Sequence, residues 1–518
     1  MSAIFDHGPP PPCPAPFNLA AYVLSRAREL GGKTALAVIS PDGAEAWSYA
    51  ELEAAVLGTA HGFLSEGLRP GDRLLMRLGN SVDFPICYLA ALAADLIPVP
   101  TSSLLTASEV AQIADDIAPR LIIAEDGVAL PAQPPCPVLP AKTMQAMYAL
   151  APAAYAMGDP DRPGYIIYTS GTSGQPRAVI HAHRAIWARR MMWDGWYGLV
   201  ETDRLLHAGA FNWTYTLGTG LLDPWTRGAT ALIPAKGVTP DQLGLLMKEH
   251  NATLFAAAPG IYRQLLRGML PPLNTLRHGL SAGEKLPDAT RAAWEDATGT
   301  PIYEAFGMSE CSTFVSGSPS HPAPPGTLGY PQDGRRIAVL GEDGPLAIGE
   351  PGVLSVSNRD PGLMLGYWDA EDETRERFQG EWFLTGDLVS MAPDGALTYL
   401  GRADDMMNAG GVRVSPIEVE AALNAHPAIL ESAAAEVTVK ADTTVIAIFY
   451  VASDLVEQEE LEAFRRRSTR PLQMPAHLRA RRGAAQRAER QAAAPRFARP
   501  LRGGPILTPK SNFSFIIS

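Results

Sequence analysis

The chain has 518 residues, 46% of them hydrophobic and 19% charged; it is too long for one core, too apolar for a disordered chain, and sized for two to four domains. Its formal charge of −12 argues against general nucleic-acid binding. The charge is uneven: twelve Arg and Lys510 against Glu489 give residues 465–518 a net +12, which leaves −24 for residues 1–464.

Pro9 to Pro16 reads as an extended arm. The apolar spacing of Asn18 to Leu30 predicts a helix. Arg73 to Leu78 predicts a strand after a Pro-Gly-Asp turn, Ser81 to Ala94 a helix, and Leu96 to Val99 and Leu121 to Ala124 short buried strands. Strands alternating with helices imply βαβ units and mostly parallel sheets. After about Gly326 the pattern changes. Asp343-Gly344 and Pro393-Asp394-Gly395 sit between strand-like runs (Arg336 to Leu340, Gly352 to Ser357, Asp387 to Met391, Ala396 to Leu400), so a β-rich region follows. Gly401 to Val414 is polar and Gly-punctuated, as a hinge would be. Four cysteines with no CxxC pair exclude a disulfide framework. With no signal-like start and no uncharged apolar run of about 18 residues, the expectation is a soluble cytoplasmic protein without a membrane span.

The strongest local signal is Tyr165 to Arg177. An apolar strand runs into Thr169, Ser170, Gly171, Thr172, Ser173 and Gly174, followed by Gln175, Pro176 and Arg177. Glycines let backbone N–H groups converge on an anion, hydroxyls add donors, and the guanidinium adds charge. The segment suits a polyphosphate, although a Ser/Gly linker has the same composition, and no GxxxxGK[ST] occurs.

This segment resembles the ATP-phosphate loop of the acyl-adenylate-forming superfamily, which holds acyl-CoA synthetases, luciferases and peptide-synthetase adenylation domains. Arg177-Ala178 stand where that family usually has Lys-Gly, so charge is kept while a fork replaces an ammonium. Further segments resemble the family's in order. In Tyr303 to Glu310 the resemblance puts Phe306 beside adenine, Ser309 near the α-phosphate and Glu310 on Mg2+, for which a hard oxygen ligand is apt. Ser281-Ala282-Gly283-Glu284 resembles the loop that lines adenine. Trp382 to Asp387 resembles the element whose Asp, here Asp387, accepts from both ribose hydroxyls. Gly401 to Asp405 resembles the hinge, with Arg402 on ribose and phosphate and Asp404 as pivot, and Gly410 to Val414, with Arg413, the segment that enters the site for thioester formation.

The resemblance implies an α/β multidomain fold: a large part over residues 1–401 with two α/β subdomains and a β-rich one, a hinge at 402–405, and the start of a small α+β domain at 406–464. It implies an ATP- and Mg2+-dependent acid–CoA ligase that forms an acyl-AMP and then a thioester, with Arg177, Glu310, Arg402 and Arg413 in catalytic roles. That chemistry needs positioning and charge neutralisation rather than a protein nucleophile. His181 and His183 are expected to play supporting roles. The implied acyl pocket is lined by Phe211, Trp213, Ser281 and Gly307. Acetate-activating members carry Trp where Gly307 stands, and the Phe17 to Ala20 and Ser281 to Pro287 segments look most like benzoate–CoA ligases, so an aromatic, alicyclic or medium acyl acid is expected. An adenylating enzyme that loads a carrier protein and an impaired nucleotide-binding protein are the alternatives. The oligomeric state stays open.

The resemblance stops near Phe464. The family ends on Ala-Pro-Tyr-Lys-x-Pro-Arg and a Gly-Lys whose lysine bridges carboxylate and α-phosphate. Here the lysines after Arg413 are Lys440 and Lys510, neither in such a motif. Read one base downstream, Arg470 to His477 permits Ala-Pro-Tyr-Lys-Cys-Pro-Arg, and Glu489 to Pro495 permits Asn-Gly-Lys-Leu-Leu-Arg. The expectation is that the reading frame departs from the family's near Arg465 to Arg467 and that residues 465–518 are a poorly ordered Arg-rich tail; a diverged small domain and a genuine basic tail are the competing readings.

Overall fold

A computed structural model describes residues 2–169, 177–403, 405, 407–409, 412–424, 426–440, 443–452, 456, 479–481 and 513–517. Its centre is a nine-stranded sheet. Six strands run parallel, in the spatial order Ile302–Met308, His278–Ala282, Leu254–Ala257, Arg204–His207, Thr230–Pro234 and Thr34–Ser40. Antiparallel strands close its edges: Gly43–Ser48 on one side, Ser312–Ser316 and then Tyr330–Pro331 on the other. A second, all-parallel sheet orders Ile97–Pro100, Arg73–Arg77, Leu121–Ala124 and Val138–Pro140. Leu74, Leu75 and Met76 are all buried, as expected of a parallel strand covered on both faces.

Local chemistry sets the helices that cover these sheets. Ser48 and Glu51 form a capping box at the start of Tyr49–Ser65, and Thr106 and Glu109 form another at Ala107–Ile117. Asp83–Ala93 is buried along its whole length. One expected helix is cut short. Asn18 caps it, and the regular helix is only Leu19–Val23. Beyond it, Arg26 is drawn to Glu29 and Glu201, and the chain continues in three-residue turns.

The β-rich part is a seven-stranded sheet built on Arg336–Gly341, Gly352–Ser357, Trp382–Met391 and Leu397–Arg402, with both expected hairpins present. The amino-terminal strand Ile4–Asp6 joins its edge against Arg336–Gly341. A three-stranded sheet carries Pro163–Thr169 and Arg177–Ala182 on either side of the phosphate-loop segment, with Gly366–Tyr367 on the outer edge of the second strand. Past the hinge segment, the helix Pro416–Asn424 accompanies the hairpin Ile429–Lys440 and Thr443–Ala452. From the Arg-rich region, Phe513–Ile517 pairs with Thr443–Ala452 and Arg479–Arg481 pairs with Phe513–Ile517. The fold is α/β and multidomain in kind. Among the described residues no helix is long and apolar enough to cross a membrane.

Candidate active site

Ser281, Gly283 and Glu284, and Gly307, Ser309 and Glu310, lie at or just past the carboxyl ends of the parallel strands His278–Ala282 and Ile302–Met308, where open α/β sheets bind ligands. Strand Ile302–Met308 ends in a bulge between Phe306 and Gly307. A Cβ on Gly307 would lie 2.1 Å from the Ser312 carbonyl oxygen and 2.4 Å from Thr313 Cα, so this glycine is required by the close approach of the neighbouring strand. The bulge releases the chain into Ser309 and Glu310. Tyr367 donates its hydroxyl to Glu310 Oε1 at 2.8 Å, and the main chain there is tied by Met364 N–H to the Glu310 carbonyl at 2.7 Å. Burial, and then the nearby Glu310 carboxylate, raise the Tyr367 phenol well above its ordinary range, so it stays a donor.

Arg177 follows the phosphate-loop segment, in register with Thr169. Its Nε pairs with Glu373 at 3.0 Å and its guanidinium lies 5.3 Å from the centre of the Tyr367 ring. Tyr367 therefore touches both the cation and the carboxylate that the sequence picked out. Ser170, Gly171, Thr172, Ser173 and Gly174 lie outside the described residues.

The β-rich sheet supplies the second group. Asp387 and Arg402 face each other across paired strands, with Arg402 Nη1 3.6 Å from Asp387 Oδ2. Tyr399 donates to Asp387 Oδ1 at 3.1 Å, and its ring centre is 5.7 Å from that of Phe306. Phe306, Tyr399, Asp387 and Arg402 thus form one continuous surface between the nine-stranded and the β-rich sheets. Gly386, at φ +80°, leaves room for Arg402, whose Nη2 lies 2.9 Å from where its Cβ would be.

The expected acyl residues divide. Trp213 is 37% exposed and lies against Gly283, where a Cβ would come within 2.5 Å of its ring; this joins two segments picked separately in the sequence. Phe211 instead turns into the core against Phe84, and its N–H donates to Asn80. Ser281 is buried, on the strand face shared with Ala257 and Glu304. Glu304 holds the loop that carries Glu284 by accepting from Leu286 N–H at 2.8 Å and pairing with Arg291 at 2.9 Å. Asp404 lies outside the described residues. Arg413 is placed on strand Val412–Val414, opposite Asn408.

Two residues were missed by sequence reasoning, Tyr367 and Tyr399, and two named histidines now have contacts. Tyr367 and Tyr399 alternate along short strands like any β residue. His181 Nε2 donates to the Ser309 carbonyl at 2.7 Å. His183 is structural: its Nδ1 accepts from Leu19 N–H at 3.0 Å.

Residues 24–368 match the family model of the AMP-binding enzymes. The chain belongs to the AMP-binding enzyme family. It is similar to the 4-hydroxybenzoate–CoA/benzoate–CoA ligase of Rhodopseudomonas palustris, at 32% identity over 80% of either chain. It is also similar to the benzoate–CoA ligase of Thauera aromatica, at 29% identity over 83% of this chain and 86% of that one. The crystal structures of a benzoate CoA ligase from Burkholderia xenovorans LB400 superpose with a TM-score of 0.79 over 89% of this chain and 95% of that one, at 29% identity. By family this AMP-binding enzyme is an AMP-forming acid–thiol ligase, which makes ATP and a thiol such as CoA its co-substrates.

Proposed function

We propose that the chain activates an aromatic carboxylic acid with ATP through an acyl-AMP and passes the acyl group to CoA. The observation that carries this reading is the surface from Phe306 through Tyr399 to Asp387 and Arg402, with Ser309 and Glu310 following on from Phe306. An aromatic face beside a buried carboxylate and a cation suits a nucleoside. The ring of Phe306 flanks adenine, Asp387 accepts from the ribose hydroxyls, and Arg402 lies at the ribose and phosphate. The resemblance to ligases of benzoate and hydroxybenzoates supports the acid class.

In this reading the substrate carboxylate oxygen attacks the α-phosphorus in line and pyrophosphate leaves. Thr169 to Gly174 and Arg177 bind the leaving phosphates, and Ser309 orients the α-phosphate. Among the described residues no group of three or more His, Cys, Asp and Glu could cage a metal. A single carboxylate, Glu310, with phosphate oxygens as the other ligands, suits Mg2+, which neutralises phosphate charge when bound. Tyr367 fixes the carboxylate that would hold it. Gly283 and Glu284 line the adenine side; Trp213, Ser281 and Gly307 line the acyl side, with Phe211 buttressing them. Residues 1–401 act as the nucleotide-binding body, Asp404 as pivot, and Arg413 enters for the thioester step. Pyrophosphate exchange into ATP, dependent on aromatic acids and not on acetate, tests the reading; exchange driven by acetate alone defeats it.

A second reading has its own observation: no lysine stands in the family motif after Arg413. The chain as written then binds ATP and forms acyl-AMP slowly.

A further inference from the structure

Behind Ser309 lies a small cavity, with room for about one water-sized group, lined among others by Ser309, Thr214, His181 and Tyr88. Its back wall is polar. Tyr88 is fully buried and its hydroxyl has no partner; His181 is 2% exposed and its Nδ1 has no partner. Tyr165 packs against both, stacked on His181 (ring centres 4.9 Å apart, 19° between planes) and with its ring centre 6.0 Å from that of Tyr88. Ser312 and Arg189 also line the cavity, but the guanidinium is already spent on Asp223, Ser312, Tyr197 and Thr219.

The tautomer follows from the contacts. A carbonyl only accepts, so His181 Nε2 facing the Ser309 carbonyl carries the proton and Nδ1 offers a lone pair. Burial pushes this imidazole down to about 4, so it is neutral at pH 7. The Tyr88 phenol is pushed well up by burial and stays protonated. The cavity therefore presents one acceptor and one phenolic O–H that can donate, beside the carbonyl of the residue read as facing the α-phosphate. An acid with no polar substituent reaching this space leaves both atoms stranded, and each stranded atom has a cost. A group that donates once and accepts once satisfies both.

Building on the aromatic-acid reading, we propose that this cavity is a specificity subsite for an acid bearing a hydrogen-bonding substituent, with a ring hydroxyl donating to His181 Nδ1 and accepting from Tyr88. Tyr88 and His181 are then the residues that separate substituted from unsubstituted acids.

The test is calorimetry on the full chain with non-hydrolysable acyl-adenylate analogues: benzoyl, and the 2-, 3- and 4-hydroxybenzoyl isomers. One hydroxy isomer binds about 10-fold tighter than benzoyl, the size of one satisfied buried hydrogen bond. Tyr88→Phe removes that advantage and leaves the benzoyl affinity in place. Equal binding of all four analogues, as when a water fills the cavity, overturns the proposal, as does an equal loss for all four in Tyr88→Phe. The wild-type comparison stands even where the variant fails to fold. Absence of binding by every analogue overturns the aromatic-acid reading and the subsite with it.

Discussion

Residues 1–464 and 465–518 differ in charge, −24 against +12, and in what their residues do. In the first region, residues far apart in sequence converge: Asp387 meets Tyr399 and Arg402, and Glu310 meets Tyr367. In the second, a run rich in Arg, Ala and Pro stands where the family places its bridging lysine. The comparison poses a question for experiment: whether nucleotide binding and bond making depend on different stretches of the chain.

The largest expected effect concerns the fold of the first region. Asp223 is buried and accepts from Arg189 Nε and Nη2 and from the Tyr197 hydroxyl. Arg189 fills the space above Gly218, where a Cβ would lie 2.3 Å from Cζ. Asp223→Ala leaves that guanidinium unpaired in the interior and should cost about 3–5 kcal/mol in denaturant unfolding. A loss below about 1 kcal/mol would mean that water reaches the pair. Arg335 and Asp360, both fully buried, form a second pair of this kind at 2.5 Å and should behave alike.

The second prediction is chemical and marks the division at Arg465. A gene shifted one base downstream near Arg465 to Arg467 permits a lysine at the place the resemblance gives it. Its product should form acyl-AMP about 10²–10³ times faster than the chain as written, the size expected for one preorganised charge at the reacting centre. Pyrophosphate exchange with each protein measures it, and equal rates would show that the tail is functional as it stands.

These results bear on what the sequence made legible. The parallel strands were readable because runs such as Leu74-Leu75-Met76 need cover on both faces. The hairpins were readable because Asp-Gly marks tight turns. The placement of Trp213 against Gly283 was readable through short motifs kept in order. Phe211 was not: an aromatic next to a site motif has the same sequence signature whether it lines a pocket or packs on Phe84. Tyr367 and Tyr399 were hidden because their roles come from tertiary contacts with Glu310 and Asp387. No local pattern encodes such contacts.

A third prediction sharpens the picture of a dry body. Burial holds His181 down to about 4 and His207 to about 3. Unfolded histidine titrates near 6.5, so below that pH the unfolded chain takes up protons that the folded chain refuses. Stability is full above about pH 6.5 and is lost as the pH falls towards 4, by about 1–2 kcal/mol per imidazole between pH 7 and 5. Thermal unfolding across that window should show a falling midpoint, with a shallower fall in His207→Gln. A flat profile would place both rings in water.

The smallest effect is the most direct test of separability. Asp387→Ala removes a carboxylate that Tyr399 and Arg402 hold in place, and with it the acceptor proposed for the ribose hydroxyls. ATP affinity should drop about 10-fold, in line with a hydrogen bond to a charged group, while the melting temperature stays within a few degrees. The same substitution in a chain ended at Phe464 should give the same ratio, and ending the chain there should by itself change ATP affinity less than about 2-fold, well under 1 kcal/mol. All the residues read as touching ATP precede Phe464, so a tail that contributed to binding would alter the ratio. A ratio that changes when the tail is removed would join the two regions into one binding unit; an unchanged ratio leaves the first region to hold the nucleotide and the second to supply, or fail to supply, the cation that completes the reaction.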